Sequence, residues 1–185
     1  MEHKGTVRID TERLILRRFT PEDAQAMYEN WANQDNVTRY LTWPTHGSAE
    51  ISAWVVNDWV SHYDDPAYYQ WAIELKDIAQ PIGSIAVVKC DNEVGMLEIG
   101  YCIGENWWGK GIVTEAFSAI LPFLFREVGA NRIQARHDSK NPASGRVMVK
   151  CGLTYEGTLR QADVNNTGIV DACMYSILKS EYLQH

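Results

Sequence analysis

Gly109, Lys110 and Gly111 stand together where a strand-like stretch gives way to a helical pattern, in GENWWGKGIVTEA (104–116). A helix start leaves main-chain N–H groups unpaired and carries partial positive charge. Glycines there let the backbone wrap closely around the oxygens of an anion. The stretch therefore suits a phosphate-bearing ligand; a strand-to-helix turn needing glycine only for its geometry is the alternative. Two nucleotide templates fail on it. GENWWGKG follows G-x-x-x-x-G-K-[ST] until the last position, where Gly111 replaces the magnesium-binding hydroxyl. The G-x-G-x-x-G dinucleotide pattern fails at Thr114. Proton-moving side chains elsewhere are scattered: Glu98 in MLEIGYCI, His137 at a strand end beside Asp138, and Asp171 in the last strand-like run. No His/Cys/Asp group has metal-ligand spacing, so no metal is expected.

The elements that must position these residues follow from periodicity. TERLILRRF (11–19) reads as a first strand, and TPED (20–23) opens a helix with Thr20 as cap and Pro21 in its first turn. A second helix is expected from Ser48, with Ile51, Trp54, Val55 and Trp59 along one side. Period-two runs at 68–75, 82–90 and 96–103 predict an antiparallel meander ending at the glycine turn. From Gly111 a helical pattern runs to Val128, bent at Pro122 and ended by Gly129. NRIQARH (131–137) is a strand, and NPASGRVMVKCG (141–152) a short helix capped by Asn141. LTYEGTL and GIVDACMYSIL are strands around a polar loop. The order predicts an α+β fold with a strand–helix–strand unit in its middle.

Bulk properties bound the partners. The 185 residues suit one domain, with 45% hydrophobic and 22% charged residues. A net charge of −7 disfavours general nucleic-acid binding, while a few local donors suffice for an anionic cofactor. The four cysteines form no CxxC pair and read as reduced thiols of a cytoplasmic protein. MEHKGTVRID lacks a signal-peptide core and no run reaches membrane-spanning length, so no membrane association is expected.

The chain resembles the GNAT N-acetyltransferases, in the subgroup of the ribosomal-protein alanine and serine N-terminal acetyltransferases. The family signature [QR]-x-x-G-x-[GA] reads Asn106-Trp107-Trp108-Gly109-Lys110-Gly111, Asn106 being its one departure. TERLILRRFTPEDA, LEIGYCI and NPASGRVMVKCGLTYEGTLR extend the likeness over nearly the whole chain. The resemblance implies a mostly antiparallel, twisted GNAT sheet, splayed at the cofactor site and flanked by helices on both faces. It implies acetyl-CoA as co-substrate, its diphosphate on the amides of Trp108, Gly109, Lys110, Gly111, Ile112 and Val113. Its pantetheine arm would pair with the backbone of Tyr101, Cys102 and Ile103, and Asn141 could hold that arm. Lys110, Arg146 and Lys150 are plausible phosphate partners. A homodimer is plausible on the same ground.

Acetyl transfer to an amine needs a deprotonated nitrogen, a positioned carbonyl, oxyanion donors and a leaving thiolate. The donors are expected among N–H groups near Cys102 or Ile103. Many family members place a tyrosine where Met148 stands here, which cannot protonate sulfur. Ser144, one turn earlier and a serine in the subgroup, is the expected donor to the thiolate; satisfying its own helix start is the other reading. Glu98 is the best base candidate, through water, if its strand face lines the amine cleft; otherwise it is a solvent-facing residue. His137 and Asp171 rank lower. Trp31, Tyr40, Trp43, Trp54 and Trp59 fall where the family builds its acceptor wall; most of them read as core aromatics, a few could line a groove for a peptide N-terminus or small amine, and an acidic chain would attract such cationic acceptors. A non-catalytic acyl-CoA-binding protein of the same fold and a P-loop-like nucleotide module are the competing functions.

Overall fold

Alternating apolar residues in the middle of the chain form the expected meander of β3 (Gln70–Leu75), β4 (Gln80–Asp91) and β5 (Met96–Ile103). A computed structural model describes residues 1–184. In it these strands join β1 (Ile9–Asp10), β2 (Leu14–Arg17), β6 (Arg132–Asp138), β7 (Thr154–Asn165) and β8 (Gly168–Leu178). The result is one eight-stranded sheet in the order β1-β2-β3-β4-β5-β6-β8-β7. Every neighbouring pair is antiparallel except β5 and β6, which a helical crossover joins in parallel.

That crossover is α4 (Ile112–Pro122). At Pro122, which lacks an N–H, the winding loosens to a π turn over Phe123–Glu127, before Gly129 ends the segment at φ +79°. Its buried Phe117, Ile120 and Leu124 pack with Trp71, Ile85, Leu97 and Ile99 in the larger core cluster. Met148 of α5 (Pro142–Lys150) packs there too. The opposite face carries a smaller cluster, where Met27 of α1 (Ala24–Met27), Trp31 and Val56 of α3 (Ala49–Ser61) pack with Phe19 and Ala72. Helices thus cover both faces. Two short helices were not anticipated, α2 (Asp35–Thr38) and α6 (Lys179–Tyr182).

Three local expectations change. TERLILRRF is not one strand: the Thr11 hydroxyl accepts the Leu14 N–H at 2.9 Å, closing a tight turn that folds β1 onto β2. In α3, Ile51 and Trp54 point outward, Trp54 being 72% exposed, because His46 Nδ1 pairs with Ser52 Oγ at 2.8 Å and brings Ser52 inside. The polar stretch before Asn166 is strand rather than loop. Register shifts between Leu159 and Asp163, with Gln161 at φ +51°, let β7 continue to Asn165.

Candidate active site

Main-chain pairing creates the site. β5 and β6 pair only at Met96–Arg132, Leu97–Ile133 and Glu98–Gln134, while β5 stays with β4 and β6 with β8 to their ends. The sheet therefore forks between Ile99–Ile103 and Ala135–Asp138. Gly104 N–H donates to Ile82 O at 3.0 Å, and antiparallel alternation from that bond turns Cys102 and Gly100 toward β4. The main-chain groups of Tyr101 and Ile103 face the fork instead. Unpaired backbone beside a gap seeks an external strand or its equivalent. Of the three residues expected to pair with a pantetheine arm, Tyr101 and Ile103 have this orientation and Cys102 does not. The Ile103 carbonyl already accepts the Trp108 indole N–H at 2.9 Å.

The glycine turn follows the fork. Trp108 N–H donates to Glu105 O at 3.1 Å, so this amide, expected among the phosphate donors, is already committed. Gly109 and Gly111 lie at φ +72° and +74°, the left-handed region that favours glycine. Gly111 is the N-cap of α4 and makes no side-chain capping bond. Among the described residues, the N–H groups of Gly109, Lys110, Gly111, Ile112, Val113 and Thr114 find no protein acceptor. A Cβ on Gly109 would meet nothing within 4 Å, so the space beside it is open. Unpaired donors, a helix dipole and open space together fit a diphosphate. Lys110, Arg146 and Lys150 are exposed.

Across the fork, α5 presents Ser144. Its Oγ lies 2.9 Å from the Tyr101 hydroxyl, which also donates to the Ser144 carbonyl at 2.9 Å. Burial pushes the Tyr101 phenol well above its ordinary value, with the Ser144 bond opposing, so it stays protonated. Met148 is buried and apolar at the position that could have carried a tyrosine. Asn141 sits at the N-cap, but its side chain makes no capping bond; Ser144 N–H reaches the Asn141 carbonyl instead, at 3.2 Å. The Asn141 amide is thereby left for other partners. His137 Nδ1–H donates to the Asp138 carbonyl at 2.7 Å, and its buried Nε2 has no partner. That nitrogen lies 2.5 Å from where a Gly145 Cβ would stand, so α5 can sit this close only with glycine there.

Residues 13–154 match the family model of the Acetyltransferase (GNAT) domain. The chain belongs to the GNAT acetyltransferases. The uncharacterized N-acetyltransferase YoaA of Bacillus subtilis is 33% identical over 92% of this chain and 96% of its own. The ribosomal protein uS5-alanine N-acetyltransferase of Escherichia coli is 28% identical over 82% and 80% respectively. RimL, a ribosomal L7/L12 α-N-protein acetyltransferase solved with coenzyme A, shares the fold at a TM-score of 0.82 and 20% identity, over 93% of this chain and 98% of that one. This GNAT protein is an acetyl-transferring enzyme.

In the GNAT frame, Tyr101 and Glu98 lie on opposite faces of β5, as their odd and even positions require. Glu98 is not solvent-facing but 4% exposed, and both its oxygens are engaged. Oε2 accepts the Gln134 amide at 2.7 Å and Oε1 lies 3.3 Å from Arg136 Nε, which also contacts Asp163 at 3.1 Å. Both carboxylate oxygens are thus taken up by side chains of β6. Asp171 instead accepts the Gln161 N–H at 2.8 Å within the β7–β8 hairpin. Of the aromatic residues, Trp31 is core, Trp59 packs on Phe19 at 4.9 Å, and Trp54 faces away; Tyr40 and Trp43 are half-buried. The hairpin tip closes on that region: Asn166 Nδ2 donates to Thr38 O at 2.8 Å and Trp43 O at 2.7 Å. Two features escaped the periodic reading. The Tyr101 hydroxyl reaches a helix 43 residues away, and Arg13 reaches the glycine turn. Neither contact leaves a local sequence signal.

Proposed function

We propose that this GNAT enzyme carries the acetyl group of acetyl-CoA to a primary amine by direct attack in a ternary complex. A protein or peptide N-terminus of the ribosomal-protein type, or a small amine, is the acceptor. The observation that carries this reading is the juxtaposition of the forked sheet with the unpaired N–H run from Gly109 to Val113. The run receives the diphosphate, while Tyr101, Ile103 and the free Asn141 amide receive the arm. The bound co-substrate supplies an acyl thioester. RimL, solved with coenzyme A, and the uS5-alanine enzyme, named for an alanine of a ribosomal protein, support the donor and the acceptor class respectively.

The reaction forms a C–N bond and breaks the C–S bond. Ser144 steadies the departing thiolate by donating it a hydrogen bond, and the protonated Tyr101 hydroxyl, anchored on the Ser144 carbonyl, holds Oγ in place through the 2.9 Å contact. A thiolate with a pKa of about 8.5 leaves tolerably unaided, so the pair assists rather than enables. The attacking nitrogen passes its surplus protons to water and keeps one as the amide N–H. Glu98, expected as the base, is assigned instead to holding Arg136; Glu98→Gln should leave the pH profile of turnover unchanged.

The test is thiol release from acetyl-CoA with ribosomal-protein N-terminal peptides, polyamines and amino-sugar antibiotics, paired with calorimetry of acetyl-CoA binding. Saturable thiol release with one amine class is expected. Failure to bind acetyl-CoA would overturn the reading; binding without turnover of any amine would favour the non-catalytic alternative.

A further inference from the structure

A carboxylate stands close to the very place where the diphosphate is proposed to bind. Glu115 lies in the first turn of α4, and its N–H bonds to Gly111 O at 3.0 Å. An anion at a helix start profits from the dipole, but a second negative charge there competes with it. The Lys110 carbonyl oxygen, in the middle of the glycine turn, is another negative end that must not face a phosphate. Arg13, from the turn between β1 and β2, engages both. Its Nε donates to Glu115 Oε2 at 2.7 Å, its main-chain N–H to Glu115 Oε1 at 3.0 Å, and its Nη1 to Lys110 O at 2.9 Å. Thr11 Oγ donates to Glu115 Oε1 at 2.6 Å. Although desolvation pushes the Glu115 carboxyl up, the Thr11 and Arg13 bonds hold it below its ordinary value. Arg13 Nη2 meanwhile lies 3.7 Å from where a Cβ on Gly111 would stand.

We propose that Arg13 is a positioning residue for cofactor binding, cancelling the Glu115 charge and turning the Lys110 carbonyl away so that the 109–113 amides can receive a diphosphate. This rests on the proposed placement of acetyl-CoA. A planar guanidinium presents its donors in a fixed fork that suits a carboxylate and a carbonyl at once, whereas lysine offers three donors on one compact charge. The β1–β2 turn thereby acquires a task in the site, although 102 residues separate Arg13 from Glu115.

Calorimetry with coenzyme A on the folded full chain tests it. Arg13→Ala should weaken binding about tenfold or more, and Arg13→Lys should fall between it and the wild type. Glu115→Gln added to Arg13→Ala should recover most of the loss, a rescue that simple loosening of the turn would not produce. Wild-type affinity in Arg13→Ala, or a double variant as weak as the single one, overturns the proposal. If the wild type itself fails to bind coenzyme A, the proposed function falls instead.

Discussion

Gly109 offers a test in which backbone strain and ligand contact separate. Gly109 and Gly129 lie at φ +72° and +79°, and a Cβ on either would meet nothing within 4 Å. Alanine at each should therefore cost the same, about 1–2 kcal/mol of left-handed strain. For a chain of this length that lowers Tm by about 2–8 °C. The two positions differ in place: Gly129 follows the far end of the α4 segment, more than about 20 Å along the axis from the glycine turn. If the Gly109–Val113 amides hold a diphosphate, a methyl group at 109 projects into the anion's space. Losing one charge-assisted N–H contact costs about 1.5–3 kcal/mol, or roughly 10- to 150-fold in Kd. Calorimetry with acetyl-CoA and thermal unfolding on both variants reads the two effects independently. Gly109→Ala should lose affinity and Gly129→Ala should keep it, at matched stability. Equal affinity in the two variants would show that glycine at 109 serves only the turn.

Other outcomes follow from the same geometry. Ser144→Ala should lower kcat about 10- to 100-fold with acetyl-CoA affinity nearly unchanged, and Tyr101→Phe, which keeps the ring against Phe117, should act in the same direction; full activity in both removes the hydroxyl pair from the mechanism. Asn166→Ala should release the hairpin tip from Thr38 and Trp43 and raise KM for the amine several-fold, roughly the effect of about 1 kcal/mol, without moving acetyl-CoA affinity; steady-state kinetics in each substrate separates the two. Glu156 is held down to about 2 by Arg132 and then Ser176. A depressed folded value means this stability is present above the unfolded pKa of about 4.3 and is lost as pH falls toward about 2. The Glu156 side chain is 41% exposed, so screening leaves about 1 kcal/mol at stake. Glu156→Gln should flatten acid unfolding across that window, and an unchanged profile would discount the Arg132 pair.

Much of the site was legible in the residues because its determinants are local or periodic. Period two placed the meander and put Glu98 and Tyr101 on opposite faces of β5. Period 3.6 placed α4 behind the glycine turn, and the Asn-Pro start placed α5 with Ser144 in its first turn. Side-chain commitments were not legible. Periodicity says which way Glu98 points, but not that Gln134 and Arg136, on a strand reached only through the α4 crossover, will occupy its oxygens. It places Trp108 in the signature without revealing that its amide and indole close the turn on themselves.

The amino-acid order by itself determined the meander, the α4 and α5 helices, the two faces of β5 and the chemistry available at each, since backbone sterics and hydrophobic alternation act over a few residues. Tertiary structure alone decided where β5 and β6 part company and which donors stay free at the opening. It also decided that Arg13 would lie against Glu115. Those outcomes depend on register and distance between segments far apart in the chain, and such contacts form only once the sheet has brought the segments together.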